Sequence, residues 1–359
     1  MAVNAFKAGT ASFYDYGAVL SRNAIYNVII GPRGDGKTFG AKWRVMKNAV
    51  ERNEQFILLR RFKTELNTRT TFFADIVHLF AKKYPHHQFR VNGQEAQILR
   101  PKDDEFAPKP VEARGKAKEN WQTIGYFIAL SNSQQKKSVA YPKVTTIIFD
   151  EFIIDKGALH YLPNEVRAFH DFYITVDRNQ ERTKVFFISN TVSIMNPYFI
   201  EWDIRPRKGQ EWIMKGDGFV CVHLIRDNEF SRQVKETRMG KFIEGTEYAS
   251  YAIDAVFLDN HMEMVAPKTP AARYYATIET TTGTFSWWID HDTGKYYVQD
   301  KRPKVETIWT MVPEKMTSEK YLMLSNDVSL QRLRSAFSRG RLFFSSAQAR
   351  NSFVGVMKR

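Results

Sequence analysis

Gly31-Pro32-Arg33-Gly34-Asp35-Gly36-Lys37-Thr38 decides how the rest of this chain is read. Before it stands the β-branched apolar run Ile25-Tyr26-Asn27-Val28-Ile29-Ile30. After it comes Ala41-Lys42-Trp43-Arg44-Val45-Met46-Lys47-Asn48-Ala49-Val50, whose texture predicts a helix. Strand, glycine loop and helix in that order are what a phosphate-binding loop requires. Gly31, Gly34 and Gly36 let backbone N–H groups turn toward phosphate oxygens, and the helix N-terminus adds partial positive charge. Lys37 reaches the terminal phosphates, the Thr38 hydroxyl is a ligand for Mg²⁺, and Arg33 lies inside the loop as a cation available in cis. ATP with Mg²⁺ is the expected ligand pair.

A nucleotide site of this kind needs a carboxylate on the metal, presented from the end of a neighbouring buried strand. Thr145-Thr146-Ile147-Ile148-Phe149-Asp150-Glu151 supplies it. Asp150 is the metal residue, and Glu151 is placed as the general base that polarises a water, which predicts hydrolysis and an ASCE-type P-loop ATPase. Val185-Phe186-Phe187-Ile188 runs into Ser189-Asn190-Thr191, so Asn190 is the candidate γ-phosphate sensor. Arg178 and Arg182, in Asp-Arg-Asn-Gln-Glu-Arg, are candidates for a finger projecting into a neighbouring subunit, with Arg33 as the rival in cis.

Further along, Gln55 to Leu59 ends in Arg60 and Arg61, a strand with a basic edge. Gln97-Ile98-Leu99, Gly125 to Leu130, Thr145 to Phe149 and Val185 to Ser189 read as strands, with a helix near Glu165 to Thr175, which predicts a parallel sheet. Pro101 to Lys118 reads as an exposed loop. After about residue 205 the texture changes to alternating runs such as Phe-Val-Cys-Val-His-Leu-Ile and to a hairpin, Ser-Trp-Trp-Ile-Asp, His-Asp-Thr-Gly, Lys-Tyr-Tyr-Val-Gln. The expectation is an ATPase domain over 1–205 and a β-rich domain over 206–359, ending in a helix near Ser318 to Phe344. The segment from Gln331 to Arg359 contains Arg332, Arg334, Arg339, Arg341, Arg350, Lys358 and Arg359 without an acid, and is either a candidate nucleic-acid contact or a solvated basic tail.

Composition narrows the partners. A length of 359 residues suits two domains, an apolar fraction of 43% with 14% aromatics makes them folded, and a net charge of +14 suits a polyanion. No apolar run approaches the length of a membrane span and the first residues lack a signal-peptide segment, so a soluble, cytoplasmic, membrane-free protein is expected. The single cysteine, Cys221, rules out an internal disulfide and a thiolate metal cluster.

Two stretches have no general P-loop explanation: Tyr-Leu-Pro-Asn-Glu-Val at 161–166 and Asn-Pro-Tyr-Phe at 196–199. Others accompany them: Glu-Gln-Phe-Ile with Arg-Arg-Phe-Lys-Thr-Glu-Leu, Ala-Tyr-Pro before the acidic strand, Arg-Asn-Gln-Glu-Arg, Ile-Ser-Asn, and Gly-Thr-Glu-Tyr. Together with the phosphate loop they resemble the genome-packaging (encapsidation) ATPases of small tailed phages of the salasvirus type. The resemblance covers roughly residues 25 to 250. It implies a homo-oligomeric ring, expected to be a pentamer, that sits at the portal (connector) protein of a prohead in the host cytoplasm and drives double-stranded DNA inward. Carried over by motif, Lys37 and Thr38 bind nucleotide, Asp150 holds the metal, Glu151 is the base, Arg178 is the trans-acting finger, Lys137 a second trans-acting cation, and Lys63 a DNA-gripping lysine. The resemblance further implies a ribonuclease-H-like C-terminal domain with vestigial nuclease character, and a packaging RNA as a further candidate partner. Asp254, Asp290 and Asp292 are the carboxylates that a residual nuclease centre could use, although Asp-His-Asp-Thr-Gly reads as a turn. The alternative reading is a P-loop DNA helicase or partitioning ATPase with the same ATP site.

Overall fold

The computed structural model describes residues 7–8, 11–12, 14–108, 120–136, 139–154, 160–190, 196–204, 206, 210–225, 236–243, 264–281, 283–300, 308–317, 320–322 and 328–357. Two compact units emerge. The first comprises residues 1–153, 167–191 and 206–256; the second comprises 154–166, 192–205 and 257–359.

The phosphate-loop strand, Tyr26–Gly31, is buried at all six positions, as its apolar run requires when both faces of a sheet are covered. It lies within a nine-stranded sheet ordered Trp212–Lys215, Val220–Leu224, Tyr26–Gly31, Lys184–Asn190, Val144–Asp150, Gln55–Arg60, Gln122–Ala129, Glu95–Leu99 and Gln88–Asn92. The strands from Val220–Leu224 to Gln122–Ala129 are parallel, and antiparallel strands close both edges. Lys184–Asn190 is inserted between the phosphate-loop strand and the acidic strand Val144–Asp150.

The helix Lys37–Arg52 begins at Gly36, whose φ of 67° suits glycine. Ala41, Val45, Met46, Ala49 and Val50 form its buried face at helical spacing. Its last carbonyls are not left orphaned: the buried Arg100 donates from Nη2 to Ala49 O (2.5 Å) and from Nη1 to Val50 O (3.2 Å). On one side of the sheet Phe149, Phe169 and Phe187 pack together, with ring centroids 4.8 Å apart for Phe169–Phe187 and 5.8 Å for Phe149–Phe169.

The domain boundary expected at residue 205 does not hold. Val220–Leu224 pairs in parallel with Tyr26–Gly31, and Trp212–Lys215 extends the same sheet, so both strands belong to the ATPase unit. Conversely, residues 154–166 and 192–205 belong to the second unit. Alternation in Val220–Leu224 showed a strand correctly, but which sheet takes it depends on a partner almost two hundred residues away.

The second unit contains a six-stranded sheet ordered Lys320–Leu322, Ile308–Thr310, Arg273–Glu279, Thr284–Asp290, Lys295–Gln299 and Leu342–Phe344. Arg273–Glu279, Thr284–Asp290 and Lys295–Gln299 form an antiparallel meander that includes the expected hairpin. Ile308–Thr310 then runs parallel to Arg273–Glu279, and Lys320–Leu322 parallel to it. The single helix expected near Ser318 to Phe344 is instead a strand, the helix Val328–Ser338 and the strand Leu342–Phe344. Nor is the segment after Gln331 a tail: Leu333, Phe337, Leu342, Phe344 and Phe353 are core residues, and Arg350 is buried. Arg332, Arg339 and Arg341 are exposed, whereas Lys358 and Arg359 lie outside the described residues. Apolar residues at helical spacing outvote the basic ones there.

The two sequence stretches without a P-loop explanation meet in this unit. Glu165, buried, accepts the Leu162 N–H (2.8 Å) and the Tyr198 hydroxyl (2.9 Å). Asn196 caps the short helix Pro197–Glu201 by accepting the Phe199 N–H (3.0 Å).

Candidate active site

Parallel strands deliver their C-terminal ends to one edge of the sheet, and that edge is where ligands bind in such folds. Here it gathers Gly31, Asp150, Asn190 and Arg60. Gly31 pairs with Asn190, and Ile188 pairs with Asp150, so Asn190 stands at the level of the phosphate loop. Gly31 admits no side chain, because a Cβ there would lie 2.7 Å from Ile225 Cβ and 2.9 Å from Asp35 Oδ2.

Lys37 is buried and folded back on its own loop, donating to Gly31 O (2.9 Å) and Pro32 O (2.5 Å). Burial pushes its pKa down to about 8, against the opposing pull of Asp35 and Asp150. The loop is braced from outside by the Tyr16 hydroxyl, which donates to Lys37 O (2.8 Å), and by the Tyr14 N–H on Asp35 O (3.1 Å).

Thr38 Oγ1 donates to Asp150 Oδ1 at 3.1 Å. A hydroxyl and a buried carboxylate at a helix N-terminus are hard oxygen donors of the type Mg²⁺ accepts, alongside water and phosphate. The other oxygen of Asp150 is occupied: Arg60 donates from Nη2 to Asp150 Oδ2 (2.9 Å) and from Nη1 to Glu151 Oε2 (2.7 Å). One guanidinium therefore holds both acids. Burial of Arg60 works against its charge, but Asp150 and Glu151 outweigh that and raise its pKa.

Glu151 has left-handed backbone, φ 56°, a conformation that costs a non-glycine residue and survives only where neighbours impose it. Arg61, 1% exposed, is one such neighbour, donating to Glu151 O (3.4 Å) and Phe152 O (2.6 Å). Neither Arg60 nor Arg61 was singled out for the site from sequence. The available signal was a pair of basic residues ending one buried strand and a pair of acids ending another.

Among the remaining candidates, Arg33 and Arg178 are exposed. Arg182 is not a projecting residue: its guanidinium is tied to the carbonyls of Tyr141, Pro142, Val144 and Val176. Lys63 is exposed at the start of a single 3-10 turn, Lys63–Leu66, closed by the Phe62 N–H on Glu65 Oε2 (2.6 Å). Lys137 and Asp254 lie outside the described residues. Asp290 accepts the Thr269 hydroxyl (2.6 Å) and the N–H groups of Asp292 (3.0 Å) and Thr293 (3.1 Å), which makes it a turn former. No group of three or more His, Cys, Asp or Glu among the described residues is placed to hold a metal, and no described helix is long and apolar enough to cross a membrane.

A phosphate loop opening a helix, a parallel sheet with a strand inserted between loop strand and acidic strand, and an Asp-Glu pair beside the loop threonine define a P-loop ATPase fold. The chain belongs to the family of podovirus DNA encapsidation proteins (Gp16), whose model it matches over residues 9–359. The DNA packaging protein of Bacillus phage phi29 is 31% identical over 342 residues, covering 94% of this chain and 95% of the relative. That of Bacillus phage B103 is 30% identical over 345 residues, covering 95% and 99%. Among solved structures, a chain of the bacteriophage Phi-29 viral genome packaging motor assembly is 30% identical, with a TM-score of 0.57 and coverage of 94% of this chain and 96% of its own. The N-terminal domain of the DNA packaging ATPase from bacteriophage phi29 is 33% identical, with a TM-score of 0.50 over 61% of this chain and 98% of its own. By family and fold this is a packaging-motor ATPase of a phage, and the helicase and partitioning reading gives way.

Proposed function

We propose that this chain hydrolyses ATP and uses the cycle to drive double-stranded DNA through the portal of a prohead. The observation that carries the proposal is the cluster at the sheet edge: Lys37, Thr38, Asp150 and Glu151 converge there, with Arg60 clamping both acids. Thr38 and Asp150 would hold Mg²⁺, which would neutralise phosphate charge when bound. Lys37 leaves the loop carbonyls for the terminal phosphates, whose charge restores the proton affinity that burial removes. Gly31, Gly34, Gly36 and Arg33 line the phosphates, and Asn190 reads the terminal one.

Glu151 acts as the base only after its ion pair with Arg60 opens, because the Oε2 that would take the water's proton is occupied by the guanidinium N–H. Lys63 follows Arg60 by three residues, so a grip on DNA phosphates at Lys63 is transmitted along the shortest covalent path to that ion pair. Arg178, with Lys137 as a second cation, serves the site of the neighbouring subunit, which calls for a ring; a pentamer suits the family. The strand order of the second unit, a meander of three followed by parallel strands on its first, supports a ribonuclease-H-like domain. Its Asp290 is committed to a turn, so the domain works by docking, to the portal and to a packaging RNA where one exists. The protein acts in the host cytoplasm, at the portal vertex.

The test is the rate of ATP hydrolysis by wild type, Glu151→Gln and Arg178→Ala proteins, alone and with empty proheads and duplex DNA. Stimulation by the full mixture, abolished by either change, is expected. Stimulation by single-stranded DNA with no effect of proheads would sink the proposal.

A further inference from the structure

The turn after the helix Glu165–Asp177 adopts a backbone its residues do not favour. Arg178, Asn179 and Glu181 are all left-handed, with φ of 53°, 58° and 54°. Asparagine visits that region readily, but arginine and glutamate do so at a steric cost and need to be held there. Asp177 holds them. Its Oδ2 accepts the N–H groups of Gln180 (2.9 Å) and Glu181 (2.8 Å), and its Oδ1 those of Arg182 (3.0 Å) and Thr183 (2.9 Å). The residue is 1% exposed, so this four-donor cage works away from water, where charge-assisted hydrogen bonds are strong.

Arg182 closes the turn from the other side. Its Nη1 donates to Pro142 O (2.5 Å) and Val144 O (3.2 Å), and its Nη2 to Tyr141 O (2.9 Å) and Val176 O (3.3 Å). Thr183 Oγ1 adds a bond to Val144 O at 3.2 Å. The turn is thereby pinned to the entry of the acidic strand, a few residues after Lys137, while the Arg178 side chain is left exposed. A surface turn with no task could relax to right-handed backbone, or use glycine at these positions.

We infer that Asp177 and Arg182 are positioning residues for Arg178: they make residues 177–183 a rigid mount that presents the Arg178 guanidinium outward, toward ATP held by a neighbouring subunit. The inference rests on Arg178 being the trans-acting finger. A finger works only where charge develops, and a misplacement of about 1 Å costs on the order of 10²-fold in rate, more than a loose turn at a subunit edge could tolerate.

Subunit mixing tests this. Full-length Arg178→Ala, Asp177→Asn and Arg182→Lys proteins are assayed for ATP hydrolysis with proheads and duplex DNA, each alone and mixed with an equal amount of Glu151→Gln protein. A Glu151→Gln subunit lacks its base but keeps the mount, whereas each turn variant keeps its base. Each variant alone is expected to lose on the order of 10²-fold in kcat with KM for ATP little changed, and each mixture to recover at least about tenfold. Arg182→Lys keeps the charge and carries the test should Asp177→Asn prove unstable. If Arg178→Ala recovers on mixing while Asp177→Asn and Arg182→Lys do not, or if the latter two retain full kcat, the positioning role is overturned. If Arg178→Ala itself fails to recover, the finger reading falls and the mount with it.

Discussion

Val144–Asp150 and Thr284–Asp290 are both seven-residue strands ending in aspartate, yet the two carboxylates are put to different ends. Asp150 faces the Thr38 hydroxyl and Arg60, groups supplied by other strands and by the phosphate-loop helix. Asp290 turns back on its own hairpin and satisfies the N–H groups two and three residues ahead. The difference lies in how the chain leaves each strand. A parallel strand must cross over before the next begins, so its last side chain shares an edge with other strand ends and with a helix N-terminus. An antiparallel strand turns at once, and the turn uses the aspartate. Asp150 accordingly meets groups from other elements, whereas Asp290 is committed to its own turn.

Changing both residues to asparagine separates the two roles most directly. Asp150→Asn is expected to lower prohead-stimulated ATP hydrolysis by about 10³-fold or more, as removal of a metal-holding carboxylate does. Asp290→Asn should leave kcat unchanged and lower only the melting temperature; a matching loss of kcat would mean that the second unit takes part in the reaction. The charge environment of the phosphate loop is open to pH. Burial lowers the Lys37 pKa to about 8, below the ordinary lysine value of 10.5, so between those values the unfolded chain binds more protons and the ATP-free fold gains stability as pH rises. ATP requires the charged lysine, so its affinity should fall above pH 8 by up to about tenfold per pH unit, and a Lys37→Arg variant, read by nucleotide titration, should lose that dependence. Smallest is the effect at the clamp. Arg60→Ala is expected to raise hydrolysis without DNA by about severalfold and to abolish further stimulation by DNA, because Glu151 is no longer held. Unchanged DNA dependence in steady-state assays would remove Arg60 from the coupling path.

Much of the candidate site was legible because its residues sit in contiguous motifs: the loop from Gly31 to Thr38, and Asp150-Glu151 at the end of an apolar run. The parallel sheet was legible for the same reason, since strands buried on both faces read as unbroken β-branched runs. What escaped was relational. Arg60 could be seen as a basic residue ending a strand, but its pairing with both acids depends on that strand lying beside Val144–Asp150. Arg182 reads in the sequence as a finger candidate, and only the carbonyls of Tyr141, Pro142 and Val144 reveal it as a clamp. Asp177 offered no signal at all, because an aspartate ending a helix gives no hint that the next turn is left-handed.

The assignment of Val220–Leu224 to the sheet beside Tyr26–Gly31 bears on how the protein is made. On the ribosome, the phosphate-loop strand emerges early and gains Lys184–Asn190 as a partner on one flank, but its other flank stays unpaired until residue 224 has left the exit tunnel. An unpaired strand edge is adhesive, and folding during synthesis exposes it for as long as translation takes to cover that interval. Nascent chains released at residue 205 should aggregate where those released past residue 225 do not, and codon choice between these positions sets how long the exposed edge persists.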